Sequence, residues 1–204
     1  MLKKHWTPKK SDPDISMIWD AAVLCFGFFR AGEITTPSLS EFDGSKHLAW
    51  GDVAIDDPHN PQTLRVHLKR SKTDQLGKGV DVFIGKTDCP LCPIATVMAY
   101  MALQGPDSGA FFMLASGHPI TKSCFTSRIK AGLKAVGLLE LDFAGHSFRI
   151  GATTAAAHAG IEDSTIHTLG RWNSSAFLIY IHTPREQLAR FSKTISATLP
   201  MHRT

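Results

Sequence analysis

The chain has little of several things, and each scarcity removes a class of protein. Cysteine occurs four times in 204 residues, as Cys25, Cys89, Cys92 and Cys124. That is too few for a disulfide-stapled scaffold at this length, so a reducing compartment is expected. No stretch approaches the roughly 18 uninterrupted apolar residues of a membrane-crossing helix. The opening MLKKHWTPKK lacks the apolar core of a secretory signal, which argues against secretion. Charge of one sign is also scarce. A net +4 permits an anionic partner without requiring one, so where the cations sit matters more than their sum. Metal-ligand spacing is nearly missing: CPLC is one CxxC without a second pair, and adding His118 and Cys124 fits no common zinc pattern. The expected role of Cys89 and Cys92 is a Cys-Pro turn that opens the apolar helix after it.

What remains is an ordinary globular composition, 43% apolar and 20% charged, long enough for one fair-sized domain or two small ones. There are no repeats or low-complexity tracts. Residues 1–10 read as a basic tail or linker, and 11–204 as one domain. Ser11 and Pro13 mark a helix start, and DISMIWDAAVLCFGFFR carries helical apolar spacing to about Arg30. HLAWGDVAI, TLRVHLKR and VDVFIG then alternate as strands do, separated by Asp/Pro/Asn-rich and Gly-containing turns. From about Pro90 the pattern is helical: IATVMAYMAL, TKSCFTSRIKAGLKAVG, AGHSFRIGATTAAAHAG, IEDSTIHTLG, SSAFLIYIH and PREQLARFSKTI. The expected class is α+β, mostly helical with a small three-stranded antiparallel sheet near its start.

Arg149 poses the sharpest question, because it stands in a run of small, mostly apolar residues three positions after His146. Small residues imply close packing, and a buried cation needs a partner. That partner is either an acidic side chain of the protein or an external anion. His146 and Arg149 share a helix face. Arg30 ends an apolar helix, where its stem could lie along the core and its head reach water. The hairpin SKTDQLGKG, with Lys69, Arg70, Lys72 and Lys78 in and beside it, offers a basic tip to an anion. Tyr180 lies in FLIYIH, and Tyr100, in VMAYMAL, reads as core.

The order of these residues resembles the catalytic domain of the tyrosine recombinases, the phage-integrase family. FRAGEI is similar to its first arginine box, KRSKT before VDVFI to the hairpin with its lysine, GHSFRIGA to its His-x-x-Arg box, and LGRWNSSAFLIYIH to its final tyrosine box. The resemblance runs from about Trp19 to Phe191. The wording of GHSFRIGATTAAAHAGIEDSTIHTLGRW and IHTPRE is most similar to recombinases of DIRS-like retroelements.

The resemblance implies DNA cleavage and rejoining through a 3'-phosphotyrosyl intermediate, without metal or other cofactor. Tyr180 would be the nucleophile, and Arg30 and Arg149 would neutralise the phosphate, which makes a DNA phosphate the expected partner of Arg149. Lys72 would be the general acid, and His146 would orient the phosphate and assist the proton of Tyr180. Lys69, Arg70 and Lys78 would touch DNA. Relatives often carry His or Trp nine residues before the tyrosine; here that position is Arg171 with Trp172 beside it, and either could donate an N–H to phosphate. Glu33 is expected to brace Arg30 or cap a turn rather than react.

Relatives usually carry an N-terminal DNA-clamping domain, and its absence before Arg30 is expected here. Double-stranded DNA and a homo-oligomeric, tetrameric synapse are the expected partners. A nuclear location follows if the source is a eukaryotic retroelement, a cytoplasmic one otherwise. Two rival readings share some of the residues: type IB topoisomerase-like relaxation, and a DNA-binding protein that has lost strand transfer. A zinc-dependent module on Cys89 and Cys92 lacks ligands.

Overall fold

The computed structural model describes residues 27–70, 78–89, 92–105, 109–138 and 146–181. The expected basic tail, the first helix up to residue 26, Cys25, the hairpin tip with Lys72, and PREQLARFSKTI lie outside the described residues.

Three strands form one antiparallel sheet in the order β1 (Val53–Ile55), β2 (Thr63–Leu68), β3 (Val80–Gly85). Its register follows from the alternation of side chains across a pleat. Leu64 faces Ile84, Val66 faces Val82 and Leu68 faces Val80, all turned to the core, while Arg65, His67, Asp81 and Phe83 share the outer face.

One helix packs on the inner face, and a second joins the same core. α2 (Pro93–Gln104) starts with proline in its first turn, where the missing N–H costs nothing, and buries Ile94, Val97 and Tyr100. α3 (Lys122–Ala135) is capped by Thr121, whose hydroxyl accepts the Cys124 N–H at 3.1 Å, and buries Phe125, Ile129 and Leu133 at four-residue spacing. Tyr100 is core, as its sequence context suggested. Its hydroxyl donates to the Phe111 carbonyl at 2.8 Å and accepts the Met113 N–H at 2.9 Å, so no buried valence is wasted.

A second, smaller core lies under α4 (Ser147–His158), α5 (Asp163–Gly170) and the 3₁₀ helix Ser175–Tyr180. It holds Phe28, Ala152, Ala156, Ile166, Trp172 and Phe177. The alanines explain the small-residue run: they leave room for α5 and the tyrosine-bearing turn to close on α4.

Phe28 joins the two cores. It has a positive φ of 61°, uncommon for a bulky residue, and this backbone turn sends Phe28 into the small core while Phe29 enters the large one. The short helix α1 (Ala31–Ile34) follows at once. Behind it Thr36 pairs with the chain entering α3, its N–H donating to the Ile120 carbonyl at 2.9 Å. The end of the first box is thereby tied to both cores. No helix among the described residues is long and apolar enough to cross a membrane.

Candidate active site

Glu33 is the centre of the site. Its side chain is buried, and its two oxygens take three short bonds: Arg30 Nη1 at 2.8 Å, the Arg30 backbone N–H at 2.8 Å and Arg171 Nη2 at 2.8 Å. The first two close on α1 itself, since Glu33 lies three residues after Arg30 and reaches back to the free N–H at the helix start. The third comes from 138 residues away. Glu33 thus braces Arg30, and Arg171 as well.

Arg149 is buried, at 2% exposure. The sequence offered two kinds of partner, acidic side chain or external anion, and the structure supplies a third. Nη1 donates to the Phe28 carbonyl at 2.5 Å, and Nη2 donates to the Gly170 carbonyl. The guanidinium lies over the Trp172 indole, its central carbon 4.0 Å from the ring centroid. Backbone carbonyls and a π face are what a closely packed small-residue segment can present to a cation. Burial, then the neighbouring Arg30 and Arg171 charges, lower its pKa to about 10, with Glu33 and Tyr180 opposing. It remains a cation at neutral pH.

Arg171 and Trp172 owe their positions to the end of α5. Arg171 is left-handed, with φ 55° and ψ 45°; its N–H donates to the Thr168 carbonyl at 3.0 Å and the Trp172 N–H to the His167 carbonyl at 3.2 Å. That pair of bonds normally goes with glycine at the left-handed position. Arginine there costs about 1–2 kcal/mol, and its side chain accounts for the exception. It reaches Glu33 and, at 3.2 Å, the same Phe28 carbonyl that Arg149 uses. Burial leads in lowering the Arg171 pKa, and Glu33 opposes it. Phe28 and Arg171 are the two non-glycine residues with positive φ among the described residues, and both belong to this cluster. Strained backbone gathered at one place is a mark of a functional site.

Tyr180 stands at the end of the 3₁₀ helix, half-buried, its ring 6.1 Å from that of Trp172. Thr154 on α4 donates its hydroxyl to the Tyr180 carbonyl at 2.7 Å, which fixes the tyrosine's backbone to the helix that carries Arg149. Around one spot there are therefore three guanidinium groups, one carboxylate and a tyrosine. Among the described residues positive charge is in excess here, and it is held in place before any anion arrives.

Other expected residues are placed differently. His146 is exposed at the start of α4, one turn before Arg149, and none of the described hydrogen bonds joins it to the cluster. Arg70 and Lys78 are exposed on either side of the hairpin. Lys69, expected to touch DNA, instead turns back to Asp52 as a partly buried ion pair and to the His47 carbonyl at 3.5 Å. Its position at the end of β2, directly beside the 3₁₀ turn Trp50–Asp52, puts that carboxylate within reach. Arg171 and Trp172, expected as phosphate donors, are engaged with Glu33 and with Arg149 respectively. His118 Nδ1 lies 3.2 Å from the Ser116 carbonyl. No group of three or more metal-ligating side chains occurs among the described residues.

The acceptors at Phe28 and Gly170 and the hydroxyl of Thr154 were not foreseen. Carbonyls carry no side-chain signal, and Thr154 was hidden in the small-residue run. Gly170 had a readable reason in retrospect: a Cβ there would overlap the Trp172 ring.

No model of a known protein family matches the chain. It is 29% identical over 167 residues to an integrase/recombinase, a XerD homologue from Selenomonas ruminantium, covering 74% of this chain and 43% of that protein. Among solved structures it is similar to XerA recombinase, with TM-score 0.55 and 16% identity over 91% of this chain and 64% of that one. It is also similar to XerH site-specific recombinase bound to a palindromic difH substrate, with TM-score 0.63 and 11% identity over 94% of this chain and 52% of that one. The chain thus spans less than half the length of the curated relative it matches. The fold is that of these recombinase structures, and the sequence likeness is to an integrase/recombinase.

Proposed function

We propose that the chain is the catalytic part of a site-specific DNA recombinase, in which Tyr180 attacks a phosphodiester. The carrying observation is the pre-built excess of guanidinium charge beside the Tyr180 ring, set against one carboxylate among the described residues. A phosphodiester transition state gathers negative charge on its non-bridging oxygens, and fixed donors stabilise it without reorganising. Arg30, the cluster's most exposed guanidinium, supplies the direct contact. Arg149 contributes its charge from beneath.

The Tyr180 oxygen bonds to phosphorus, the 5'-oxygen leaves, and a 3'-phosphotyrosyl link preserves the energy of the broken bond for rejoining. Lys72, outside the described residues, protonates the leaving oxygen, and His146 orients the phosphate and takes up the proton that Tyr180 gives. Arg171 and Trp172 hold Glu33 and Arg149 rather than touching phosphate. Arg70 and Lys78 extend the contact along the DNA backbone.

Duplex DNA is the proposed substrate, consistent with a structural relative captured on its own DNA site, and the working form is a homo-oligomer assembled on that DNA. The motif wording points to a DIRS-like retroelement as source, which carries a nuclear location with it. The curated relative is bacterial, so the motif wording alone bears that finer assignment.

The test is covalent trapping on labelled nicked duplexes of varied sequence in the presence of a chelator. Wild type should give a DNA adduct mapping to Tyr180, and Tyr180→Phe should give none while still binding DNA. An adduct on another residue, or one that requires divalent metal, would overturn the mechanism.

A further inference from the structure

Cys89 and Cys92 lie at the corner between β3 and α2, away from the arginine cluster, and the strand-transfer chemistry makes no use of them. The two sulfurs converge on one residue. The Thr87 N–H donates to Cys92 Sγ at 3.4 Å, and Thr87 Oγ1 lies 3.4 Å from Cys89 Sγ. The Cys92 N–H donates to the Cys89 carbonyl at 3.0 Å. Such an i to i+3 bond holds two Cα atoms within about 7 Å, the range a disulfide needs.

The two thiols differ in setting. Cys89 is exposed, whereas Cys92 is 5% exposed and forms the N-cap of α2. Burial acts to raise the Cys92 pKa, but N–H groups of Ala95, Thr87 and Ile94 outweigh it and leave the thiol below its usual value. One sulfur is therefore open to a reagent, and the other is placed to attack it.

We propose that Cys89 and Cys92 form a reversible dithiol–disulfide site that exchanges with low-molecular-weight disulfides such as oxidised glutathione. The Cys89 thiolate attacks glutathione disulfide, making a mixed disulfide and releasing one glutathione thiolate. The Cys92 thiolate then attacks the Cys89 sulfur, closing the Cys89–Cys92 bond and releasing the second. The two protons shed by the cysteines pass to the two glutathiones, so the protein dithiol is oxidised as glutathione disulfide is reduced.

The experiment equilibrates the full chain in glutathione buffers of rising oxidised fraction, quenches with an alkylating reagent and maps the peptides by mass. Cys25 and Cys124 serve as internal references. The expected result is joint loss of label from Cys89 and Cys92, in a peptide lighter by two hydrogens, at an oxidised fraction where Cys124 is still labelled. Cys89→Ser, an exposed change that spares the core, should keep Cys92 fully labelled across that same range. Independent titration of the two cysteines, a stable glutathione adduct on Cys89, or oxidation only alongside Cys124 would each overturn the proposal.

Discussion

Glu33→Gln is the most informative single change, because it removes charge with little change of shape. In the wild type the carboxylate takes three bonds at 2.8 Å from Arg30 and Arg171, and its charge also acts on Arg149. The amide can accept at one atom only, and its NH₂ meets a guanidinium N–H. Breaking one side of a buried ion pair costs about 3–5 kcal/mol, against a total stability of about 5–15 kcal/mol. For a chain of this size that corresponds to a Tm lower by roughly 6–20 °C. Arg30 and Arg171 would also lose the carboxylate that pairs them, so an added anion should bind there more strongly than in wild type.

The assay is thermal unfolding of both proteins in chloride and in sulfate at matched ionic strength. Sulfate stabilises proteins generally, so the quantity read is the extra stabilisation of the variant over wild type. A Tm change of less than about 3 °C, or an equal sulfate response in the two proteins, would refute the account of Glu33 as the counter-charge of the site.

Three further outcomes follow from local geometry. Arg171→Gly and Arg171→Ala both lose the Glu33 bond, but only glycine relieves the left-handed backbone, so the glycine variant should be the more stable by about 1 kcal/mol in urea unfolding; equal stabilities would refute the strain. Gly170→Ala should cost about 1–3 kcal/mol, because Trp172 must leave its place under Arg149; an unchanged unfolding midpoint would contradict this packing. His47 accepts the Asp43 N–H through Nδ1 at 3.0 Å, and burial lowers its pKa. Its neutral form is favoured in the fold, so the unfolded chain binds the extra proton, and this stability is present above the ordinary value of 6.5 and lost as pH falls through the folded value. His47→Asn keeps an acceptor without a titration, and should lose less stability than wild type on acidification; a steeper loss would reverse the assignment.

The sheet and most of the helices were legible along the chain because each depends on local periodicity. Alternation in TLRVHL and VDVFIG follows from the pleat, and the four-residue spacing of Phe125, Ile129 and Leu133 follows from the helical turn. The order of the arginine, histidine and tyrosine boxes was legible as well, since motif order is a property of sequence. So was the link between Glu33 and Arg30, which lie one turn apart.

The partners of Arg149 were not. They are main-chain carbonyls 121 and 21 residues away, and every residue has a carbonyl, so no composition or spacing marks the two that will be used. Nor could the sequence tell that Arg171 faces inward to Glu33 while Lys69 turns to Asp52. A cation's partner is decided by which opposite charge the fold leaves within bonding distance and out of water. The sequence by itself determined which groups are present and which local elements carry them. Tertiary structure alone decided which of the cations stand together, because burying a charge is tolerable only where distant parts of the chain converge to satisfy it.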